Sequence, residues 1–173
     1  SRTSIIMQPG KTEKYDYEYI RNGTANIFMA VEPKHGIRNT KVTKQRTNID
    51  FAKFMGELVL HYPYAKKLRI VLDNLSTHSK KAFYDTFEKN EADKILSKLE
   101  FHYTPTHASW LNVAEIEIGI MDNQCTDRRI KNISYLKNEV QIWTQSRNKD
   151  RCKIDWRFTR QDADKKLGKH YVT

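Results

Sequence analysis

The sequence predicts a mixed α/β domain, an antiparallel meander followed by parallel strands. Three observations predict it. The first third alternates at period two around an Asn22-Gly23 pair, the pattern of a hairpin. From Thr47 onward, apolar residues recur at helical spacing. Short apolar runs then alternate with helical stretches, and such alternation implies parallel neighbours, because only a crossover returns the chain to the same end of a sheet.

The elements follow in order. The opening stretch, 1–14, reads as irregular. Tyr15, Tyr17 and Tyr19 alternate with Asp16 and Glu18, predicting a first strand. TANIFMAVE, Thr24 to Glu32, reads as a second strand, mostly buried, and Pro33 to Gly36 as a turn. IRNTKVTKQ gives a third strand whose polar residues suit a sheet edge. Ile49, Phe51, Phe54, Met55, Leu58 and Val59 predict a helix over 47–61, closed by Pro63. Leu68 to Leu72 forms a short buried strand. Ser79 through Phe87 reads as a helix, and Glu91 to Leu99 as a second helical piece. Leu99, Phe101 and Tyr103 alternate in another strand, which Pro105 ends. Ser109 is placed to cap a long helix through Gln124, with Trp110 as a core anchor. A further helix covers Ser134 to Arg147, and a short one begins near Thr159.

The totals bound the function. At 173 residues the chain is long enough for one domain with a real core. Three Trp, nine Tyr and seven Phe exclude chain-wide disorder. The net charge of +10 favours a polyanionic partner, since each phosphate neutralised by Lys or Arg releases counterions. Nucleic acid fits better than a membrane surface, because no long basic helix with a clean apolar face is present. Cys125 and Cys152 lack zinc-site spacing and fit a reducing compartment. No apolar run is long enough to span a bilayer.

The chemistry centres on IVLDNLSTH, Ile70 to His78. Asp and Asn are poor strand formers, so Asp73 after Ile70, Val71 and Leu72 is an acid held at a strand end. Parallel neighbours end on the same side, so the helix after Tyr103 starts close to Asp73. A carboxylate from that helix would meet Asp73 across a gap of metal size. Hard cations such as Mg²⁺ take oxygen ligands, and two of them can clamp both oxygens of a phosphoryl displacement.

RNGTANIFMAV, VLDNLSTH and FHYTPTHASWLNVAEIEI together resemble the DDE-superfamily transposases of bacterial insertion sequences related to the mariner group. The resemblance runs over nearly the whole chain. It implies an RNase H-like fold, with a mixed sheet and helices on both faces. It also implies Mg²⁺-dependent DNA cleavage and strand transfer, with Mn²⁺ as substitute and two metals held by three carboxylates. Asp73 then stands as the second acid, in its usual Asp-Asn context. Glu115 stands as the third, since LNVAE matches the family's Asn-x-x-Glu turn. Helical phase alone leaves Glu117 open as the alternative: Glu117 falls among Val113, Ile116, Ile120 and Met121, and Glu115 beside Asn112, Gly119 and Asp122. The motif favours Glu115.

The sequence departs from the family twice. No strand ending in Asp precedes RNGTANIFMAV, and Asp16 and Glu18 lie on the wrong segment. Residues 1–173 therefore read as a single catalytic domain, N-terminally truncated relative to the family, with the first strand supplied by Ser4 to Met7 or by a second chain. The interval between Asp73 and Glu115 is also long for the family, with FEKNEADKILSKL as the extra helix.

Around the two acids, Asn74, His78 and Asn112 are expected to support the metal ligands without binding metal themselves. Lys80, Lys81, His107, Arg128 and Arg129 are the candidate DNA contacts, although basic residues after a helix also suit its dipole. The implied partners are insertion-sequence ends and target DNA, with a homodimer or complementing chain, in the prokaryotic cytoplasm at the nucleoid. The competing function is a non-catalytic fragment that binds DNA, or that assembles with or inhibits a transposase.

Overall fold

A computed structural model describes residues 23–104 and 112–167. The Tyr15–Tyr19 strand, Asn22, Ser4–Met7, Pro105, His107, Ser109 and Trp110 lie outside the described residues. The elements are β1 (Asn26–Glu32), β2 (Ile37–Thr43), α1 (Asn48–His61), β3 (Leu68–Leu72), α2 (Lys81–Tyr84), α3 (Lys89–Lys98), β4 (Leu99–Tyr103), α4 (Ala114–Met121), α5 (Ile133–Lys149) and α6 (Arg160–Leu167). A π-helical turn, Asp122–Thr126, extends α4.

β1 and β2 form an antiparallel hairpin in which Phe28 faces Lys41 and Ala30 faces Asn39. Period-two alternation gives this hairpin two working faces. Phe28 and Ala30 join the core built on α1. Ile27, Met29 and Val42 pack on the other side against Met121, Cys125, Val140 and Trp143. Helices thus cover both faces of the hairpin, as expected of the fold.

β3 pairs parallel with β4, Leu68 opposite Leu99 and Leu72 opposite Tyr103. The crossover between them carries α2 and α3, so the predicted β-α-β unit is present. The helix expected from Ser79 through Phe87 is only the single turn of α2, and α3 begins at Lys89 instead of Glu91. Thr86 folds its hydroxyl back onto the Ala82 carbonyl at 2.6 Å, and Glu88 is extended with ψ 146°. Both break the helical path.

β3 is also not fully buried. Leu68, Ile70 and Leu72 pack toward α1, whereas Arg69 and Val71 face outward and Val71 is 56% exposed. The described strands form two separate two-stranded sheets, and no hydrogen bonds join β1 to β3. Their common support is α1, whose Phe51, Phe54, Met55 and Leu58 lie in one cluster with Phe28, Leu72 and Leu99. α1 begins with a capping box: Thr47 Oγ1 accepts from the Asp50 amide at 3.1 Å, and Asp50 Oδ2 accepts from the Thr47 amide at 3.0 Å.

The long helix expected through Gln124 changes pitch at Asp122, where the Asp127 amide reaches the Asp122 carbonyl at 2.7 Å. This widened turn keeps Cys125 buried, and Gln124 Oε1 accepts from Trp143 Nε1 at 2.9 Å. Burial pushes the Cys125 thiol up, and Cys125 and Cys152 are both unpaired. Thr159 caps α6, its hydroxyl accepting from the Asp162 amide at 3.2 Å. Among the described residues no helix is long and apolar enough to cross a membrane.

Candidate active site

Asp73 leaves β3 where the parallel pair ends. The Thr104 amide donates to the Leu72 carbonyl at 2.9 Å, so the chains on both sides finish at one level. Asn74 Nδ2 then donates to the Thr104 carbonyl at 2.6 Å, tying the loop after β3 to the end of β4. Tyr103 donates its hydroxyl to the His78 carbonyl at 2.8 Å, a second tie across the same gap. The His78 ring lies on Phe51 of α1, with centroids 4.5 Å apart. The Asp-Asn-x-x-x-His stretch is thus a polar turn held on three sides by β4, by α1 and by its own Leu75 carbonyl, which accepts from the His78 amide at 2.9 Å.

His78 Nδ1 stands 2.9 Å from Asp73 Oδ1 and 3.5 Å from the Asp73 carbonyl oxygen. The contact with Oδ1 is an ion-pair approach that misses hydrogen-bond alignment, and among the described residues the buried Oδ1 has no hydrogen bond. Such an oxygen is under-coordinated for a carboxylate. Lys80 closes this loop and Lys81 opens α2, both exposed.

Glu115 and Glu117 diverge on α4. Asn112 Oδ1 accepts from the Ala114 amide at 3.1 Å, and the Asn112 carbonyl accepts from the Glu115 amide at 3.0 Å. Asn112 therefore fastens the start of α4, and Glu115 projects exposed from its first turn, where the helix dipole favours an acid. Glu117 is wholly buried. Arg38 Nη2 donates to its Oε2 at 2.7 Å, and Arg147 donates from Nε to Oε1 at 2.9 Å and from Nη2 to Oε2 at 3.2 Å. Burial pushes the Glu117 carboxyl up, but hydrogen bonds from the two arginines, backed by their charges, hold it below the ordinary carboxylate range. Both its oxygens are engaged.

α4 packs on β1, while Asp73 stands at the end of β3. Among the described residues no hydrogen bond or ion pair links the Asp73 loop to Glu115. Among the described residues no cluster of three His, Cys, Asp or Glu side chains is gathered to hold a metal. Arg128 is engaged by Glu139 and donates from Nε to the Cys125 carbonyl at 3.1 Å, whereas Arg129 is exposed. Sequence reasoning missed Arg38 and Arg147 as partners of Glu117, and Phe51 and Tyr103 as partners of His78. Arg38 carried a signal: period two places it on the hairpin face of Val42, where an unpaired cation is costly.

A family model for DDE superfamily endonucleases matches residues 1–137. The chain belongs to this family. No curated protein and no solved structure matches the chain. Membership of the DDE endonucleases implies nuclease activity on DNA, an RNase H-like fold and the divalent metals that the family generally uses. The hairpin with helices on both faces and the parallel pair carrying Asp73 are consistent with that fold.

Proposed function

We propose that this DDE endonuclease is the catalytic domain of a bacterial insertion-sequence transposase related to the mariner group, with Asp73 and Glu115 as two of its three metal-holding carboxylates. One observation carries the reading. Asp73 Oδ1, at the mouth of a parallel strand pair, has no hydrogen bond among the described residues and is met there by His78 Nδ1 at 2.9 Å. A carboxylate at a strand end with lone pairs left over is the hard oxygen donor that a divalent cation takes. The exposed Glu115 carboxylate offers a second hard oxygen donor of the same class. Glu117 is a poor candidate, because Arg38 and Arg147 already take both its oxygens.

Mg²⁺ or Mn²⁺ bound at these oxygens would polarise the scissile phosphate and offset its developing charge. The rest falls to the chain's own groups. His78 and the Asn74–Thr104 tie hold Asp73 in place. Asn112 fixes the helix start from which Glu115 projects. Lys80, Lys81 and Arg129 supply cations for DNA phosphates, and Arg128 acts first as a brace for Glu139. His107 stays a proposed DNA contact on the preceding loop.

The third carboxylate arrives, in this reading, on a strand from another segment or a second chain. The edges of β1 and β3 that have no partner among the described residues support this, as do the exposed side chains of Val71, Ile116 and Ile118. Unpaired edges are liabilities that proteins normally cover.

Calorimetric titration with Mn²⁺ tests the assignment. Asp73→Asn and Glu115→Gln should each weaken binding at least tenfold, about 1.4 kcal/mol, without lowering the thermal midpoint. The purified chain alone should not nick supercoiled DNA in Mg²⁺. Nicking abolished by Asp73→Asn would uphold the nuclease and refute the shared site. Salt-sensitive DNA binding without metal binding would instead favour a non-catalytic DNA-binding fragment.

A further inference from the structure

Among the described residues β2 pairs with β1 alone. Its other edge lies at the bottom of a cleft of about 650 Å³ between α1 and α5, within the usual size of ligand sites. Main-chain geometry shows which groups face that cleft. The Arg38 amide donates to Asn148 Oδ1 at 2.7 Å, and the Arg38 carbonyl accepts from Asn148 Nδ2 at 2.8 Å. Arg38 therefore points its main chain away from β1. Inward and outward pairs alternate along an antiparallel strand, so Thr40 and Val42 also turn their N–H and C=O groups outward. Among the described residues neither has a main-chain hydrogen bond on that side. The Asn148 amide already imitates the first peptide group of a neighbouring strand, and the next two places have no main-chain partner among the described residues.

We propose that this cleft takes an extended acidic peptide from a partner protein, added to β2 as a new strand. The free positions present donors and acceptors in alternation, which only a peptide backbone matches on both counts. DNA phosphates would satisfy the donors and leave the carbonyls unmatched. A second copy would have to bring its own β2, recessed between the same helical walls, so two such edges do not meet. The lining charges select the side chains of the guest. Lys41 and Lys137 stand against a single carboxylate, Glu57, which Lys41 already binds at 2.5 Å. Gln141 and Gln145 add polar groups along the α5 wall. The cleft shares no residue with the Asp73 loop, so the inference stands apart from the proposed nuclease site.

The test uses an acetylated, amidated heptapeptide of alternating Val and Glu, with a Val/Lys peptide as control. Amide NMR of the full chain should show the Thr40 and Val42 signals shifting and slowing in exchange as the acidic peptide is added. Lys137→Glu, an exposed change on α5, should weaken that binding at least tenfold at unchanged melting temperature. The Val/Lys peptide should bind at least tenfold more weakly than the acidic one. Equal binding of the two peptides, or unmoved Thr40 and Val42 signals, overturns the proposal. So does duplex DNA shifting those signals where the peptide does not. Concentration-dependent protection without peptide would assign the edge to a second copy and also refute it.

Discussion

Glu115 stands exposed in the first turn of α4, while Glu117, two residues on, is wholly buried between Arg38 and Arg147. Neutralising Glu117 would leave two arginines facing each other with no anion between them. Removing one partner of a buried ionic group costs about 3–5 kcal/mol, so Glu117→Gln should lower the urea-derived stability by that order. A loss under about 1 kcal/mol would refute the buried triad. The same group sets a pH dependence. Its folded carboxyl lies below its unfolded value, so its stabilisation is complete above about pH 4.3, the ordinary Glu value. It fades as pH falls through the folded value. Glu117→Gln should therefore flatten the acid limb of the stability curve, measured by urea unfolding from pH 6 downward. Helical phase put Glu117 among apolar neighbours, and that much was legible. Its partners were not, because Arg38 and Arg147 are 79 and 30 residues away in sequence. Asp73 was legible as an acid at a strand end, since Asp is out of place after Ile70, Val71 and Leu72. The ring beneath His78 was not, because Phe51 reads as one more core residue.

At the scale of elements, β3 and β4 coincide with the strands read from Leu68–Leu72 and Leu99–Tyr103, where apolar alternation is bounded by polar turns. Local hydrogen bonds defeated the same reasoning at Thr86 and Asp122, since neither a hydroxyl folded onto a carbonyl nor a π turn leaves a periodic trace. Thr47→Ala removes the capping box of α1 and should cost about 1 kcal/mol by chemical denaturation. The turn between β1 and β2 makes a stricter demand. Gly36 has φ +68°, and a Cβ there would sit 2.5 Å from the main-chain carbon and oxygen of Arg151. Arg151 itself has φ 49°, so the chain reverses tightly after α5 against this turn. Gly36→Ala should destabilise by more than the roughly 1–2 kcal/mol of the left-handed conformation alone, because main-chain atoms cannot swing aside. A melting temperature equal to wild type would show that the two turns do not press together.

For the molecule as a whole, charge is the property that composition predicts most directly. With +10 on 173 residues, affinity for a random duplex should fall steeply with salt. About six phosphate contacts would give on the order of a thousandfold loss between 50 and 200 mM salt. A flat salt profile in a filter-binding titration would argue against DNA as the partner. The division of the described strands into two half-sheets was not legible, because sequence patterns identify strands but not how their edges pair. Both halves rest on α1, yet they close by different routes. The hairpin needs only the four residues Pro33–Gly36 to turn back, whereas β4 reaches β3 only after the crossover 73–98 has been made. Loops that long close late, because entropy is lost before contacts repay it. The Asp73 loop is stitched to the end of β4 through Asn74 and Tyr103. On the ribosome, then, an emerging chain can fold its hairpin early but holds no assembled Asp73 loop until Thr104 has cleared the exit tunnel. With Asp73 in its proposed role as a metal ligand, the order of synthesis itself would keep a nascent chain from its chemistry.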